Sequence, residues 1–181
     1  MDLPTRAYVG LGANLGDAHE TLEVALAALA ALPQGRLVAW SSEWRTAPVD
    51  SSGPDYRNAV AALDTGLSPA ELLAALQAIE RAHGRERPYR NAPRTLDLDL
   101  LLHGHTVLAT PELSLPHPRL HQRAFVLRPL LEIAPELEAP GIGLLAHCLA
   151  SVADQRAERM SQPLQPTALS RAARAARAPS A

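Results

Sequence analysis

The sequence predicts an α+β fold in which helices cover one face of an antiparallel sheet. Short apolar runs that end at glycine or proline indicate strands, and apolar residues at helical spacing indicate helices. These elements follow one another as strand, helix, strand, strand, helix, strand, which is the ferredoxin-like split βαβ pattern. The predicted strands cover residues 6–12, 37–45, 58–65 and 95–103, and the predicted helices cover residues 17–32 and 68–83.

The ends of the two helices carry the clearest local signals. Pro33 and Gly35 end the first helix. At the second helix, Ser68 is the predicted N-cap, Pro69 takes the first helical position, and Glu71 stands at the capping-box position. Two additional C-terminal helices are predicted after the last strand, over residues 125–133 and 143–153.

The second predicted strand, residues 37–45, contains both tryptophans of the chain. Trp40 and Trp44 are four residues apart, so the two-residue period of a strand places them on one face. The following residues, 46–56, are rich in Pro, Ser, Asp and Gly and predict a loop.

Length and composition indicate one domain. The chain has 181 residues, a formal net charge of −2 and a single cysteine, Cys148. Residues 1–160 are expected to form the domain, and residues 161–181, with few apolar anchors, are expected to be a mobile tail. No apolar run reaches the ~18 residues of a membrane span, and the N-terminus does not resemble a signal peptide. We therefore expect a cytoplasmic monomer with no nucleic-acid or membrane partner.

All 17 basic residues are arginines, since the chain contains no lysine. A Schiff-base enzyme and a Walker-type phosphate loop both need a lysine, so these two classes are excluded. Any phosphate-binding group in this chain must therefore use arginine, whose planar guanidinium suits phosphate oxygens.

The strongest chemical signal is the segment Asp97-Leu98-Asp99 in the last predicted strand. Alternation places both carboxylates on one strand face, with Cα atoms roughly 6.5–7 Å apart. Two like charges so close are unfavourable unless a hard cation joins them, and Mg²⁺ prefers carboxylate, water and phosphate oxygens. The pattern indicates a magnesium site, although an exposed polar strand face without a ligand would give the same alternation.

An arginine-rich segment comes directly before these aspartates. A loop with basic side chains beside an acidic strand suits a magnesium–triphosphate complex, because metal ions and guanidinium groups divide the phosphate charge between them. A solvated charged loop is the alternative interpretation. The arginines concerned are Arg81, Arg85, Arg87, Arg90 and Arg94.

The glycine-rich segment at residues 10–16 follows a predicted strand and precedes a helix. It does not fit a dinucleotide-binding fingerprint, because Leu15 stands where the third glycine is required. We interpret the segment as a tight turn in which the backbone and Asn14 approach a ligand or another loop.

Together these motifs resemble the 6-hydroxymethyl-7,8-dihydropterin pyrophosphokinase family, from about residue 8 to residue 136. The resemblance implies a ferredoxin-like fold, ATP as diphosphate donor, AMP as product and a reduced pterin as acceptor. The matching segments are Gly12-Ala13-Asn14-Leu15-Gly16-Asp17, residues 46–58 from Thr46-Ala47-Pro48 to Tyr56-Arg57-Asn58, Pro93-Arg94-Thr95-Leu96-Asp97-Leu98-Asp99, and residues 115–125 from Leu115-Pro116-His117-Pro118 to Arg123-Ala124-Phe125.

The resemblance also assigns roles by position. Asp97 and Asp99 would bind two Mg²⁺ ions, and Arg85 and Arg94 would contact the phosphates as catalytic residues. ATP would be bound by Gln77, Glu80, Arg87, His117 and Arg123. The pterin pocket would be lined by Thr46, Val49, Tyr56, Asn58 and Phe125.

The chain departs from the family pattern in the loop before the aspartates. Asn91-Ala92 stands where the family usually carries Trp-Gly, and the family's loop lysine is absent, so Arg87 or Arg90 would substitute for it. Two other functions remain compatible with the fold class: a non-catalytic module that senses a small molecule, and a nucleic-acid-binding module. The second requires aromatic residues on central strands, which are sparse in this chain.

Overall fold

The computed structural model describes residues 4–48, 53–83 and 96–166. The described helices are α1 (Ala18–Ala30), α2 (Pro69–Ala82) and α3 (Ala124–Ile133), with 3₁₀ helices at Leu120–Gln122 and Leu145–Val152. The described strands are β1 (Thr5–Ala13), β2 (Gly35–Trp40), β3 (Trp44–Thr46), β4 (Tyr56–Thr65), β5 (Asp97–His103), β6 (Leu108–Ala109), β7 (Ser114–Leu115), β8 (Glu138–Ala139), β9 (Gly143–Leu144) and β10 (Ala157–Arg159).

The main sheet is antiparallel, and its strand order is β10, β3, β4, β1, β5, with β2 also paired to β4. Two short hairpins, β6–β7 and β8–β9, form separate sheets. The expected antiparallel α+β class is confirmed. The predictions made for residues 49–52, 84–95 and 167–181 lie outside the described residues.

The strand predicted over residues 37–45 is two strands, and the tryptophan prediction fails for that reason. Trp40 pairs with Ala61, and Trp44 pairs with Asn58. Three residues therefore separate the two tryptophans, whereas only two residues separate their partners on β4. The extra residue is a bulge, which turns the following side chains to the opposite face of the sheet. Trp40 packs against the core under α1, whereas the Trp44 indole donates to the Glu132 carboxylate of α3 at 3.0 Å.

The sheet is covered on both faces. Helices α1 and α2 pack on one face through Leu22, Leu26, Leu72 and Leu76. The opposite face is covered by α3 and the 3₁₀ helices, a face to which the sequence-based prediction had assigned no particular helix. The helix predicted over residues 143–153 is a 3₁₀ helix that begins at Leu145, after the short strand β9.

The helix ends agree with the sequence signals. Asp17 caps α1 by accepting a hydrogen bond of 3.0 Å from the Glu20 N–H. The capping box of α2 is complete: Ser68 accepts from the Glu71 N–H and the Glu71 carboxylate accepts from the Ser68 N–H. No helix within the described part of the chain is long and apolar enough to span a membrane.

The C-terminal part of the described chain runs back across the sheet edge. Strand β10 pairs with β3, and the Met160 N–H donates to the Glu43 carbonyl. Leu164 is 2% exposed and lies in the core under α1, where its carbonyl accepts a 3.0 Å hydrogen bond from the Trp40 indole. The packed chain therefore extends beyond residue 160.

Candidate active site

Strand β5 presents two half-buried carboxylates on one face. Leu98 and its neighbours of the same parity, Leu96 and Leu100, are buried in the core against α1 and α2. Asp97 and Asp99 therefore lie on the opposite face, as the sequence alternation predicts.

Two glycines of β1 lie beside these aspartates. Gly12 pairs directly with Asp97, and Gly10 pairs directly with Asp99. Residues paired in this way point to the same face, and glycine adds no side chain there. The glycines therefore leave space next to each carboxylate. They are strand residues and do not form the tight turn that the sequence suggested; the positive φ of 62° in this segment belongs to Gly16.

Asn58 completes a row that crosses three strands. Asn58 of β4 pairs with Gly12, which in turn pairs with Asp97. Neighbouring strands lie about 4.8 Å apart, so Asn58 and Asp97 stand roughly 10 Å apart across the gap over Gly12. The Asn58 Oδ1 atom borders this gap, since a Cβ atom on Gly12 would lie 3.2 Å from it.

Strand β3 adds a threonine to the same face. Thr46 pairs with Tyr56, and Trp44 pairs with Asn58. The Asn58 Nδ2 donates a 2.7 Å hydrogen bond to Thr46 Oγ1, and both side chains are 5% exposed. This bond fixes the amide so that its oxygen, an acceptor, faces the gap over Gly12.

Helix α3 covers this face and begins with an arginine and an aromatic ring. The Arg123 guanidinium carbon lies 5.3 Å from the centre of the Phe125 ring, within cation–π range. Phe125 is half-buried and packs against the core under α3.

His117 lies close to the charged side chains of Arg123 and Asp97. The backbone N–H of His117 donates to the Leu101 carbonyl, and the ring Nδ1 accepts a 3.1 Å hydrogen bond from the backbone N–H of Arg119. Burial lowers the pKa of His117 to about 4; Arg123 and Arg119 lower it as well, and Asp97 acts in the opposite direction. The imidazole is therefore neutral at pH 7 with its proton on Nε2, and Arg123 and Asp97 lie near enough to act on it.

The two residues predicted on α2 differ in exposure. Gln77 is exposed, whereas Glu80 is 2% exposed. Glu80 Oε1 accepts a 2.8 Å hydrogen bond from the Leu98 N–H, between the two aspartates. Four predicted site residues, Val49, Arg85, Arg87 and Arg94, lie outside the described residues, as do Arg90 and the Asn91-Ala92 replacement.

The structure thus brings together the side chains on β3, β4, β5 and α3, and it adds two residues that the sequence analysis had not assigned to this face. Gly10 and Gly12 were interpreted only as parts of a turn. The missed signal is that Gly10-x-Gly12 has the same two-residue period as Asp97-x-Asp99.

The aspartate pair suits magnesium. Within residues 4–48, 53–83 and 96–166, no group of three or more His, Cys, Asp or Glu side chains could enclose a metal ion. Asp97 and Asp99 offer two carboxylates beside the space over two glycines. Mg²⁺ is usually bound by one or two carboxylates while it keeps water and takes phosphate oxygens from a substrate.

A cavity of about 500 Å³ lies behind this face and is distinct from it. Its lining includes Arg45 and Arg57, which pair with each other and therefore face away from Thr46 and Asn58. Glu43 forms an ion pair there with Arg57 and a hydrogen bond with the ring of His19 of α1, so its carboxylate is partnered on this side of the sheet.

Two curated relatives match more than four fifths of the chain. A protein of Pseudomonas aeruginosa named 2-amino-4-hydroxy-6-hydroxymethyldihydropteridine pyrophosphokinase is 46% identical over 156 residues, which are 86% of this chain and 96% of the relative. A protein of Haemophilus influenzae with the same name is 42% identical over 151 residues, which are 83% of this chain and 94% of the relative.

Solved structures with low sequence identity share the fold. The crystal structure of wild-type Plasmodium falciparum HPPK-DHPS with pteroate has a TM-score of 0.68 and 14% identity, and the match covers 86% of this chain. A structure of HPPK-DHPS in complex with substrates has a TM-score of 0.67 and 13% identity over 84% of this chain. The chain spans about 44% of the length of each of these proteins.

These relatives and the site define the class: the chain is an ATP-dependent diphosphotransferase. Residues 8–135 match the family described as 7,8-dihydro-6-hydroxymethylpterin-pyrophosphokinase (HPPK), and the chain belongs to that family. It transfers a pyrophosphoryl group to a pterin in folate biosynthesis, with ATP as substrate and Mg²⁺ as the metal. The comparisons do not favour the non-catalytic sensing module.

Proposed function

We propose that diphosphate transfer takes place on the face of the sheet that carries Asp97, Gly12 and Asn58. The row that these residues form across β5, β1 and β4 gives the main support. It has the Asp97 carboxylate at one end, with Asp99 two residues further along β5, the Asn58 amide acceptor at the other end, and no side chain on Gly12 between them. A flat heterocycle lying over Gly12 would reach the amide while its hydroxymethyl arm points toward the carboxylates.

Asp97 and Asp99 bind two Mg²⁺ ions in this proposal. Bound there, the ions would neutralise phosphate oxygens of ATP and draw electron density from the phosphorus under attack. The carboxylates stand half-buried beside Gly12 and Gly10, where ions and phosphates have room.

Arginine and histidine side chains bind the rest of the triphosphate. His117 is neutral with Nδ1 engaged by the Arg119 N–H, so its Nε2–H is a donor for a phosphate oxygen. Arg123, which lies beside Phe125 at the start of α3, binds ATP in this proposal. We assign Arg85 and Arg94 to the transferred phosphates and Arg87 to ATP from the sequence alone.

Helix α2 supplies the adenosine end of the site. Gln77 is exposed and can reach a nucleotide. Glu80, three residues further along the helix, belongs to the ATP site through strand β5, which it contacts.

The pterin lies between β3, β4 and α3. The Asn58 Oδ1 accepts a hydrogen bond from a ring N–H of the pterin, since the Asn58 Nδ2 already donates to Thr46 Oγ1. Tyr56 or Phe125 stacks on the ring. We assign Val49 to the pterin pocket from the sequence alone. The hydroxyl oxygen of the pterin forms a bond to the β-phosphorus as the bond from that phosphorus to the α-phosphate bridging oxygen breaks. AMP leaves with the bridging oxygen, and the hydroxyl proton is released to solvent. Positioning and charge neutralisation supply most of the acceleration.

The strand order of β5, β1, β4 and β2/β3, with α1 and α2 on one face, supports a ferredoxin-like core extended by the C-terminal α3 and 3₁₀ helices. We further infer that residues 1–160 form one domain, to which Leu164 attaches the following segment. A monomeric state and a cytoplasmic location stay predictions, the first of which light scattering on the purified protein would check.

The test measures AMP release from ATP and Mg²⁺ with and without 6-hydroxymethyl-7,8-dihydropterin. The parent should release AMP only with the pterin, and Asp97→Asn and Asp99→Asn should lower the rate by at least about 100-fold. Asp64→Asn is the matched control, because Asp64 lies on β4 and pairs with Arg6 and Arg36 away from the site. Near-normal turnover in both aspartate variants would rule out the assigned site.

A further inference from the structure

The Leu98 N–H is held by a buried side chain of α2. Among the strands of the described residues, β5 lies at the edge of the main sheet and pairs with β1 on one side. Every second N–H of an edge strand points away from the sheet and lacks a strand partner. The outward-pointing N–H of Leu98 donates a 2.8 Å hydrogen bond to Oε1 of Glu80, a residue that is 2% exposed.

This contact acts on the peptide unit that joins Asp97 to Leu98. The orientation of that unit sets the backbone angles on both sides of it and therefore the directions of the neighbouring Cα–Cβ bonds. Leu76 and Ile79 of α2 pack in the same core as Leu98, so the helix that carries Glu80 is itself fixed against β5. Through its hydrogen bond to Leu98, Glu80 can thus fix the backbone of β5 relative to α2.

We propose that Glu80 is a positioning residue that sets the spacing and direction of the Asp97 and Asp99 carboxylates for Mg²⁺. This inference rests on the proposed function, since it takes the two aspartates as the metal ligands. Groups that orient metal ligands through hydrogen bonds usually change metal affinity by about 10–100-fold when they are removed.

The test compares variants at position 80 by Mn²⁺ binding, measured by electron paramagnetic resonance in the presence of α,β-methylene-ATP. Glu80→Met removes the acceptor and should weaken Mn²⁺ binding by about 10-fold or more. Glu80→Gln keeps an acceptor oxygen at the same reach and should stay within about 3-fold of the parent. Glu80→Asp keeps the charge but shortens the side chain, and it should resemble Glu80→Met.

Leu76→Ala is the matched control on the same helix. It removes a fully buried side chain of α2 and destabilises the fold, but it leaves the hydrogen bond between Glu80 and Leu98 in place. Its Mn²⁺ affinity should stay close to that of the parent. In turnover assays, Glu80→Met should raise the Mg²⁺ concentration for half-maximal rate while the KM for the pterin stays unchanged.

A direct readout is the hydrogen exchange of the Leu98 amide, which should accelerate in Glu80→Met and in Glu80→Asp but not in Glu80→Gln. Parent-like Mn²⁺ affinity in Glu80→Met would overturn the proposal, and so would equal losses in Glu80→Gln and Glu80→Met. If Glu80→Met does not fold, Glu80→Asp against Glu80→Gln decides the same question. Asp97→Asn distinguishes a failure of this proposal from a failure of the proposed function. If Asp97→Asn retains Mn²⁺ affinity, the assignment of Asp97 as a metal ligand is wrong.

Discussion

The side chains of Asn58 and Thr46 are joined by a 2.7 Å hydrogen bond from Nδ2 to Oγ1, inside a region where each is 5% exposed. The bond links β4 to β3 and determines which end of the amide faces Gly12. A buried amide hydrogen bonded in this way has one orientation, so its oxygen is preorganised as an acceptor, the role that we propose for it with the pterin.

Thr46→Val should therefore impair both stability and pterin binding. The valine leaves the buried Asn58 Nδ2 without a partner, which costs about 1–3 kcal/mol of unfolding free energy. The KM for the pterin should rise because the amide is no longer held in one orientation. Thr65→Val is the control: it removes the 3.0 Å acceptor of the Leu67 N–H at the far end of β4. Urea denaturation and steady-state kinetics should show a stability loss in both variants but a KM effect in Thr46→Val alone.

Gly12→Ala and Gly10→Ala form a second pair with different expected outcomes. A Cβ atom on Gly12 would lie 3.2 Å from Asn58 Oδ1, whereas one on Gly10 would meet Leu101 at an ordinary 3.6 Å. Gly12→Ala should raise the KM for the pterin about 10-fold, corresponding to about 1.4 kcal/mol. Gly10→Ala should raise it less. An equal effect of both substitutions would contradict the gap over Gly12 as the pterin position.

The stability of the protein should depend on pH through His117. Burial lowers its pKa from 6.5 to about 4, so between these values the unfolded chain binds a proton that the folded chain does not. The stability that the neutral His117 ring allows is fully present above pH 6.5. It is lost as the pH falls from 6.5 toward 4, because the unfolded state gains stability by binding the proton. Since the ring is partly exposed, the loss at pH 5 should be on the order of 1 kcal/mol.

His117→Gln should remove this part of the pH dependence. Urea midpoints measured at pH 7 and pH 5 should differ less in this variant than in the parent. His105 is exposed, and the parent's dependence should persist in His105→Gln. If His117→Gln leaves the dependence unchanged, the buried neutral imidazole is not its origin.

Leu164 should contribute to stability like a residue of the central core. Leu164→Ala removes a side chain that is 2% exposed and should lower the unfolding free energy by about 2–5 kcal/mol. Val107→Ala changes a residue that is 71% exposed and should stay within about 0.5 kcal/mol of the parent. A small effect at Leu164, measured by chemical denaturation, would mean that the segment after Met160 does not pack stably in solution.

Local features of the fold could be predicted from the sequence. The capping box of Ser68 and Glu71 depends on residues three apart, and the alternation around Asp97 depends on a strand period of two. Both signals lie within one element, so no knowledge of the rest of the chain is needed.

Features that depend on distant partners could not be predicted. The bulge between Trp40 and Trp44 arises from the pairing with β4, and Glu132 of α3 binds Ser42 within the bulge. The Leu164 contact is a single apolar residue in a polar segment, which has no period to reveal it. The bond from Leu98 to Glu80 joins residues 18 apart in the sequence, and glutamate in a helix ordinarily indicates an exposed face.

The bond from Leu98 to Glu80 has a consequence for self-association. An edge strand with a free N–H offers a template on which a second polypeptide can add a strand, and a regular β5 would invite such growth beside the aspartates. Glu80 occupies one of the donors that an incoming strand would need, and the buried carboxylate would have to leave before pairing could continue. At Leu98, the hydrogen bond to Glu80 therefore competes with the backbone pairing that an added strand would need.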